Sequence, residues 1–330
     1  MRTAKLMASI AALLALAVFL LLCADRAYSY LPTLASPTTP VRWNLSGFAV
    51  QYNINPSAGS NISGGRPVTA VVEAGFNTWT AAPNTGVAVG RGPDSNLTSA
   101  PEAPSPTNLI CFVCSGDFTD AGTLAVTIFT YATSAGQSDG RGGTTAFAGQ
   151  MLNASVLFNP SKPFTTDPAA ANGDTTDLQT VATHEFGHFL GLDHSAVVNA
   201  VMFPFSPSVR QSLACDDVAG ISRLYPGNQS VGTGAIQGRV LFPSGGGVFG
   251  AHVFADSTTG DLGYGSSVRK GPIGAMTDAS GNYTINGLPP DSYTVTAEPL
   301  DGPAKNSDLS DYPKIFGKPS VDAGFTTRQH

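Results

Sequence analysis

The stretch His184-Glu185-Phe186-Gly187-His188-Phe189-Leu190-Gly191-Leu192-Asp193-His194 constrains this chain more than any other, because it holds three of only five histidines and one of four glutamates. Side chains four apart on a helix sit about 5–6 Å from each other at Cβ, so His184 and His188 can share one ion. Glu185, next to the first ligand, then points beside the metal at what the metal binds, where it can take a proton. Gly191 can enter the left-handed backbone region that ends a helix, and the turn it permits brings in His194 as a third ligand. Three imidazoles leave one position of a tetrahedral site open, as in catalytic zinc. A closed structural site would need a fourth protein ligand, for which the sequence offers only Cys111, Cys114, Cys215 or a carboxylate at unknown distance. Imidazoles also suit several transition metals, so zinc is an inference, and one catalytic ion is expected. His252 and His330 lack metal spacing and read as structural.

A chain of 330 residues has room for two domains with their own cores, and 42 % apolar content excludes a disordered polymer. Charged residues make up 12 %, with 37 glycines and 24 prolines, which favours short elements and β-rich architecture. The net charge of −6 comes with no basic run, so neither nucleic acid nor an anionic membrane surface is an expected partner. Arg2 and Lys5 precede an apolar run from Leu6 to Cys23, and Ala27-Tyr28-Ser29 suits cleavage. Residues 1–29 therefore read as a signal peptide of a secreted or extracellular protein, with an uncleaved membrane anchor as the alternative.

Val50–Ile54 reads as a strand, and Val68, Val71, Val72, Phe76 and Trp79 recur at helical spacing. Leu109–Val113, Leu124–Thr130 and Ser155–Asn159 read as further strands, and Asp177 as the cap of a helix through Leu178, Val181, Ala182 and Glu185. Residues 30–226 form one expected domain, with 227–234 as a linker. Period-2 patterns at Ile236–Phe242, Ala251–Ala255, Tyr283–Ile285 and Tyr293–Ala297 make 235–300 a small all-β sandwich, and 301–330 a loosely ordered polar tail. The fold class is α+β with a twisted mixed sheet and an active-site helix. Without Cys23, the leader's own, an odd set of cysteines remains: Cys111, Cys114 and Cys215. These read as structural, with Cys215 open as a partner for either of the others.

Taken together, the motif, Ser195 directly after the third histidine, and Ala200-Val-Met202-Phe-Pro204 resemble the metzincin metalloproteases and, within them, the matrixins. The resemblance implies that Met202 sits beneath the ligands as a Met-turn, that Pro204 walls the specificity pocket, and that Leu213–Tyr225 is a closing helix whose Asp216 and Asp217 are structural. Three departures stand out. A zinc-blocking propeptide has no counterpart between the leader and the first strand. Phe164–Thr176 has no histidine for a second, structural zinc, and Gln150–Asn159 has no carboxylate, which leaves a calcium ion unsupported. Residues 235–297, with Gly238-Arg-Val, Thr277-Asp-Ala-Ser-Gly-Asn-Tyr-Thr-Ile and Gly287-Leu-Pro-Pro-Asp-Ser-Tyr-Thr-Val, resemble carboxypeptidase regulatory-like domains.

The expected activity is a monomeric, secreted zinc endopeptidase acting on protein or peptide substrates, with Glu185 as general base. Its competitors are a noncatalytic binding protein that uses the same scaffold and, ranked lower, hydrolysis of a non-peptide amide.

Overall fold

The computed structural model describes residues 31–46, 49–118, 120–205, 208–260, 263–309 and 311–330. The expected leader lies outside the described residues. No helix among them is long and apolar enough to cross a membrane.

Five strands, β1 (Val50–Ile54), β2 (Val89–Arg91), β3 (Leu109–Cys111), β4 (Ala125–Tyr131) and β5 (Met151–Phe158), form one sheet in the order β2-β1-β3-β5-β4. All neighbours run parallel except β4, which pairs antiparallel with β5 and leaves its other edge open. The sheet is therefore mixed, as expected. β5 starts four residues before the expected Ser155, because its polar Asn153 is satisfied internally: its Oδ1 accepts the Thr130 hydroxyl at 2.7 Å. A polar side chain with a partner does not end a strand.

Two helices, α1 (Val68–Thr80) and α2 (Leu178–Phe189), pack against each other on this sheet. In α1 the buried residues are Val68, Val71, Val72, Gly75, Phe76 and Trp79, one face of a 3.6-residue period. The Phe76 ring stacks on Tyr52 of β1 at 4.2 Å and on Phe186 of α2 at 3.8 Å, which joins strand, first helix and second helix in one column.

The second unit contains β6 (Gly234–Arg239), β7 (His252–Ser257), β8 (Ile273–Met276), β9 (Asn282–Leu288), β10 (Tyr293–Glu298) and β11 (Arg328–Gln329). Antiparallel sheets β6-β9 and β8-β7-β10-β11 face each other, with Val253, Ala255, Ile273 and Ile285 fully buried.

The chain also departs from expectation at the linker and in the C-terminal segment. The linker at 227–234 is strapped down: Asn84, itself at φ 61°, bonds the Val231 carbonyl through Nδ2 at 2.7 Å and accepts the Val231 N–H at 2.9 Å, and Gly234 already belongs to β6. Residues 301–330 do not form a loose tail. They contain a 3-10 turn at Asn306–Leu309 and the short helix α4 (Asp311–Ile315), and they end in β11 on the β-unit sheet. Leu309, Tyr312 and Val321 are buried in a small core shared with Leu31, Leu34 and Phe203 of the first unit and Phe249 and Met276 of the second. Buried apolar side chains thus anchor a segment that is polar on average.

The remaining helix, α3 (Cys215–Leu224), lies at the seam between the units. Cys215 at its start is buried and free, while Cys111 and Cys114 are joined to each other. The alternative that paired one of them with Cys215 is thereby removed.

Candidate metal centre

Helix α2 begins where Asp177 Oδ2 accepts the Thr180 N–H at 2.8 Å, a side-chain cap on an otherwise unpaired donor. At the other end the carbonyls of Phe189 and Leu190 are taken by the Trp43 indole N–H at 2.7 Å and the Tyr225 hydroxyl at 2.7 Å. Both helix ends are thus satisfied, and the helix is a rigid mount for what it carries. Gly191 follows at φ 95°, and a Cβ there would stand 2.3 Å from the Val41 carbonyl oxygen, so both the backbone angle and the space demand glycine.

His184, His188 and His194 are brought together, with one ring nitrogen of each within 4.8 Å of the others. On each ring Nδ1 faces a backbone carbonyl: Val201 at 2.7 Å for His184, Leu192 at 2.8 Å for His188, and Asp308 at 2.8 Å for His194. A carbonyl can only accept, so Nδ1 carries the proton and donates. In a neutral ring held this way Nε2 keeps its lone pair free, the tautomer that metal ligation needs. Burial, followed by the neighbouring imidazoles, pushes the His184 and His188 pKa values down to about 3, so both rings are neutral at ordinary pH. The donor set therefore fits one zinc-type ion.

Glu185, on the same helix, is 6 % exposed. Its Oε2 accepts the hydroxyl of Thr127 on β4 at 2.6 Å, with the Glu185 main-chain carbonyl 3.1 Å from the same hydroxyl. Sequence reasoning missed Thr127. The strand that carries it was legible, but nothing in its spacing reports that β4 passes beside α2.

Beneath the three histidines, Met202 packs on Gly187, where a Cβ would lie 2.1 Å from the Met202 sulfur. The Met202 turn is held by Asp217 of α3, whose carboxylate accepts the N–H groups of Val201 at 2.8 Å, Met202 at 3.1 Å and Ala214 at 2.7 Å. Its neighbour Asp216 accepts the Ser195 hydroxyl at 2.6 Å and the Gly274 N–H of β8 at 2.8 Å. Burial raises the Asp216 pKa to about 7. The acidic pair thus does two jobs: Asp217 braces the turn under the histidines, and Asp216 ties the first unit to the β unit.

The histidines and Glu185 open onto a cleft of about 610 Å³. Its walls include β4, Pro204 with Phe203 and Phe205 beyond the Met202 turn, Arg210, and Ser307, Asp308 and Asp311 from the C-terminal segment. Pro204 is half-buried on this wall. Neither Arg210 nor the C-terminal residues carried a readable signal in the sequence.

Residues 120–226 match the matrixin (Peptidase M10) family model, and residues 235–307 match the carboxypeptidase regulatory-like domain. Similar curated proteins include the hatching enzyme of Paracentrotus lividus, 42 % identical over 99 residues that cover 29 % of this chain and 16 % of that protein. Metalloendoproteinase 5-MMP of Arabidopsis thaliana is 56 % identical over 54 residues, 16 % of this chain and 15 % of its own length. Human matrix metalloproteinase-25 is 38 % identical over 96 residues, 26 % of this chain and 17 % of its own. The matched stretch spans less than a fifth of each of these three relatives. The chain therefore carries a matrixin domain that contains the three-histidine site, joined to a carboxypeptidase regulatory-like β domain.

Proposed function

We propose that this chain is a secreted zinc-dependent endopeptidase in which His184, His188 and His194 hold the ion and Glu185 is the general base. The observation that carries the reading is the convergence of three Nε2 lone pairs, each fixed by an Nδ1–H bond to a carbonyl, beside a carboxylate in an open cleft. Held by His184, His188 and His194, such an ion would supply Lewis acidity toward water and a substrate carbonyl.

The chain's own groups do the rest. An extended peptide can lie along the unpaired edge of β4, which borders the cleft and offers main-chain donors and acceptors. The Thr127 hydroxyl holds Oε2 of Glu185, which orients the carboxylate to take a proton from the attacking water and return it to the leaving amine. Met202 and Asp217 keep the ligands from shifting as charge develops. One zinc per chain and a monomeric enzyme complete the proposal, and the apolar leader supports secretion.

Casein hydrolysis with and without a chelator tests it. Cleavage that the chelator abolishes and zinc restores is the expected result. Absence of any chelator-sensitive cleavage would leave a binding protein on a metalloprotease scaffold, and activity confined to small amides would move the substrate class.

A further inference from the structure

The first two histidines owe their ring orientation to carbonyls in their own neighbourhood, at Val201 and Leu192. His194 owes its orientation to a residue 114 positions later, beyond strands β6 to β10 of the β unit. The Asp308 side chain does not compete for this role, since its Oδ2 accepts the Lys305 N–H at 2.8 Å and closes the 3-10 turn that carries it. The turn is positioned in its own right. Leu309 and Tyr312 are 1 % and 4 % exposed, and the Tyr312 hydroxyl donates to the Thr277 carbonyl of the β unit at 3.0 Å. Phe203, next to Met202 of the turn beneath the ligands, packs in the same small core.

We propose that the turn at residues 305–309, together with Tyr312, is a working part of the metal centre, with the Asp308 carbonyl as a positioning group that fixes the tautomer and ring angle of the third ligand. The β unit thereby acquires a role in metal retention: it is the platform on which the segment docks, and the seating of Leu309 and Tyr312 sets how well His194 binds. The inference rests on the zinc reading above. Partners of this kind, bonded to the far nitrogen of a ligating histidine, typically change metal affinity 10- to 100-fold when lost.

The test uses full-length chains: the unaltered protein, Leu309→Ala, Tyr312→Ala, and Ile285→Ala as a comparison that weakens the β core outside the small core that seats Leu309 and Tyr312. Zinc affinity is measured by competition with a chromophoric chelator. Imidazole N–H signals are followed by NMR in zinc-loaded, histidine-labelled protein. Leu309→Ala is expected to weaken zinc binding about tenfold and to speed solvent exchange of the His194 Nδ1–H, with those of His184 and His188 unchanged. Tyr312→Ala should act in the same direction, and Ile285→Ala should lower thermal stability without altering zinc affinity. Unchanged affinity in both segment variants, or an equal loss in Ile285→Ala, would overturn the assignment. If Leu309→Ala does not fold, Tyr312→Ala decides by the same two readouts. If the unaltered chain binds no zinc, the zinc reading itself has failed, an outcome distinct from the failure of the segment's role.

Discussion

His184 and His188 share one helix and one period, whereas His194 is reached from three directions: the Gly191 turn, the Ser195–Asp216 bond and the Asp308 carbonyl. The first pair is a local device, since any helix through these residues presents both rings on one face. The third histidine is a tertiary device, held in part by a segment that docks from far along the chain. The same metal site thus depends on two kinds of order, one set by secondary structure and one by the packing of distant segments.

Breaking the local device has the largest expected effect. His188→Ala removes one of two ligands mounted on α2, and chelator-sensitive cleavage should fall to background while circular dichroism of the helix is retained. Gly191→Ala comes next. A non-glycine residue at φ 95°, with its Cβ against the Val41 carbonyl, is expected to cost about 3 kcal/mol or more, read as a lowered unfolding midpoint in urea. Such a variant sharpens the comparison, since its strain falls on the turn beyond α2 that leads to His194.

Smaller effects test the supports. Thr127→Val removes the hydroxyl that orients Glu185, and kcat should drop roughly tenfold with KM little changed, about 1.4 kcal/mol of transition-state stabilisation. Asp216→Asn probes the tie between the units through its pH dependence. The folded protein holds Asp216 at about 7 against an unfolded value of 3.8, so this group's contribution to stability is fully present below pH 3.8 and is lost as pH rises through 7. An asparagine does not titrate. The two proteins should unfold alike near pH 3.5, and the variant should gain on the unaltered chain as pH rises to 7, as thermal melts across that range would show.

What the sequence reveals divides along the same line. The paired α2 histidines, the Asp177 cap, the glycine at 191 and the Val50–Ile54 strand follow from spacing and residue type, because those features are set within a few residues. The strand carrying Asn153 was read too short, since the partner that satisfies the amide, Thr130, comes from a neighbouring strand. The polar average composition of the C-terminal segment points to a loose tail, although Leu309, Tyr312 and Val321 each fill a place prepared by residues far away in sequence. Asp216 and Asp217 were recognised as structural, but what they hold, a turn and a strand of the other unit, emerges only once the units are packed.

The central claim is that Glu185 does chemistry at a metal it does not bind. Zinc content and peptide cleavage measured side by side on the unaltered chain and Glu185→Gln test it most directly. The account predicts one zinc per chain in both proteins and a loss of cleavage of at least about a hundredfold in the variant. Equal cleavage, or loss of the zinc together with the carboxylate, would contradict it.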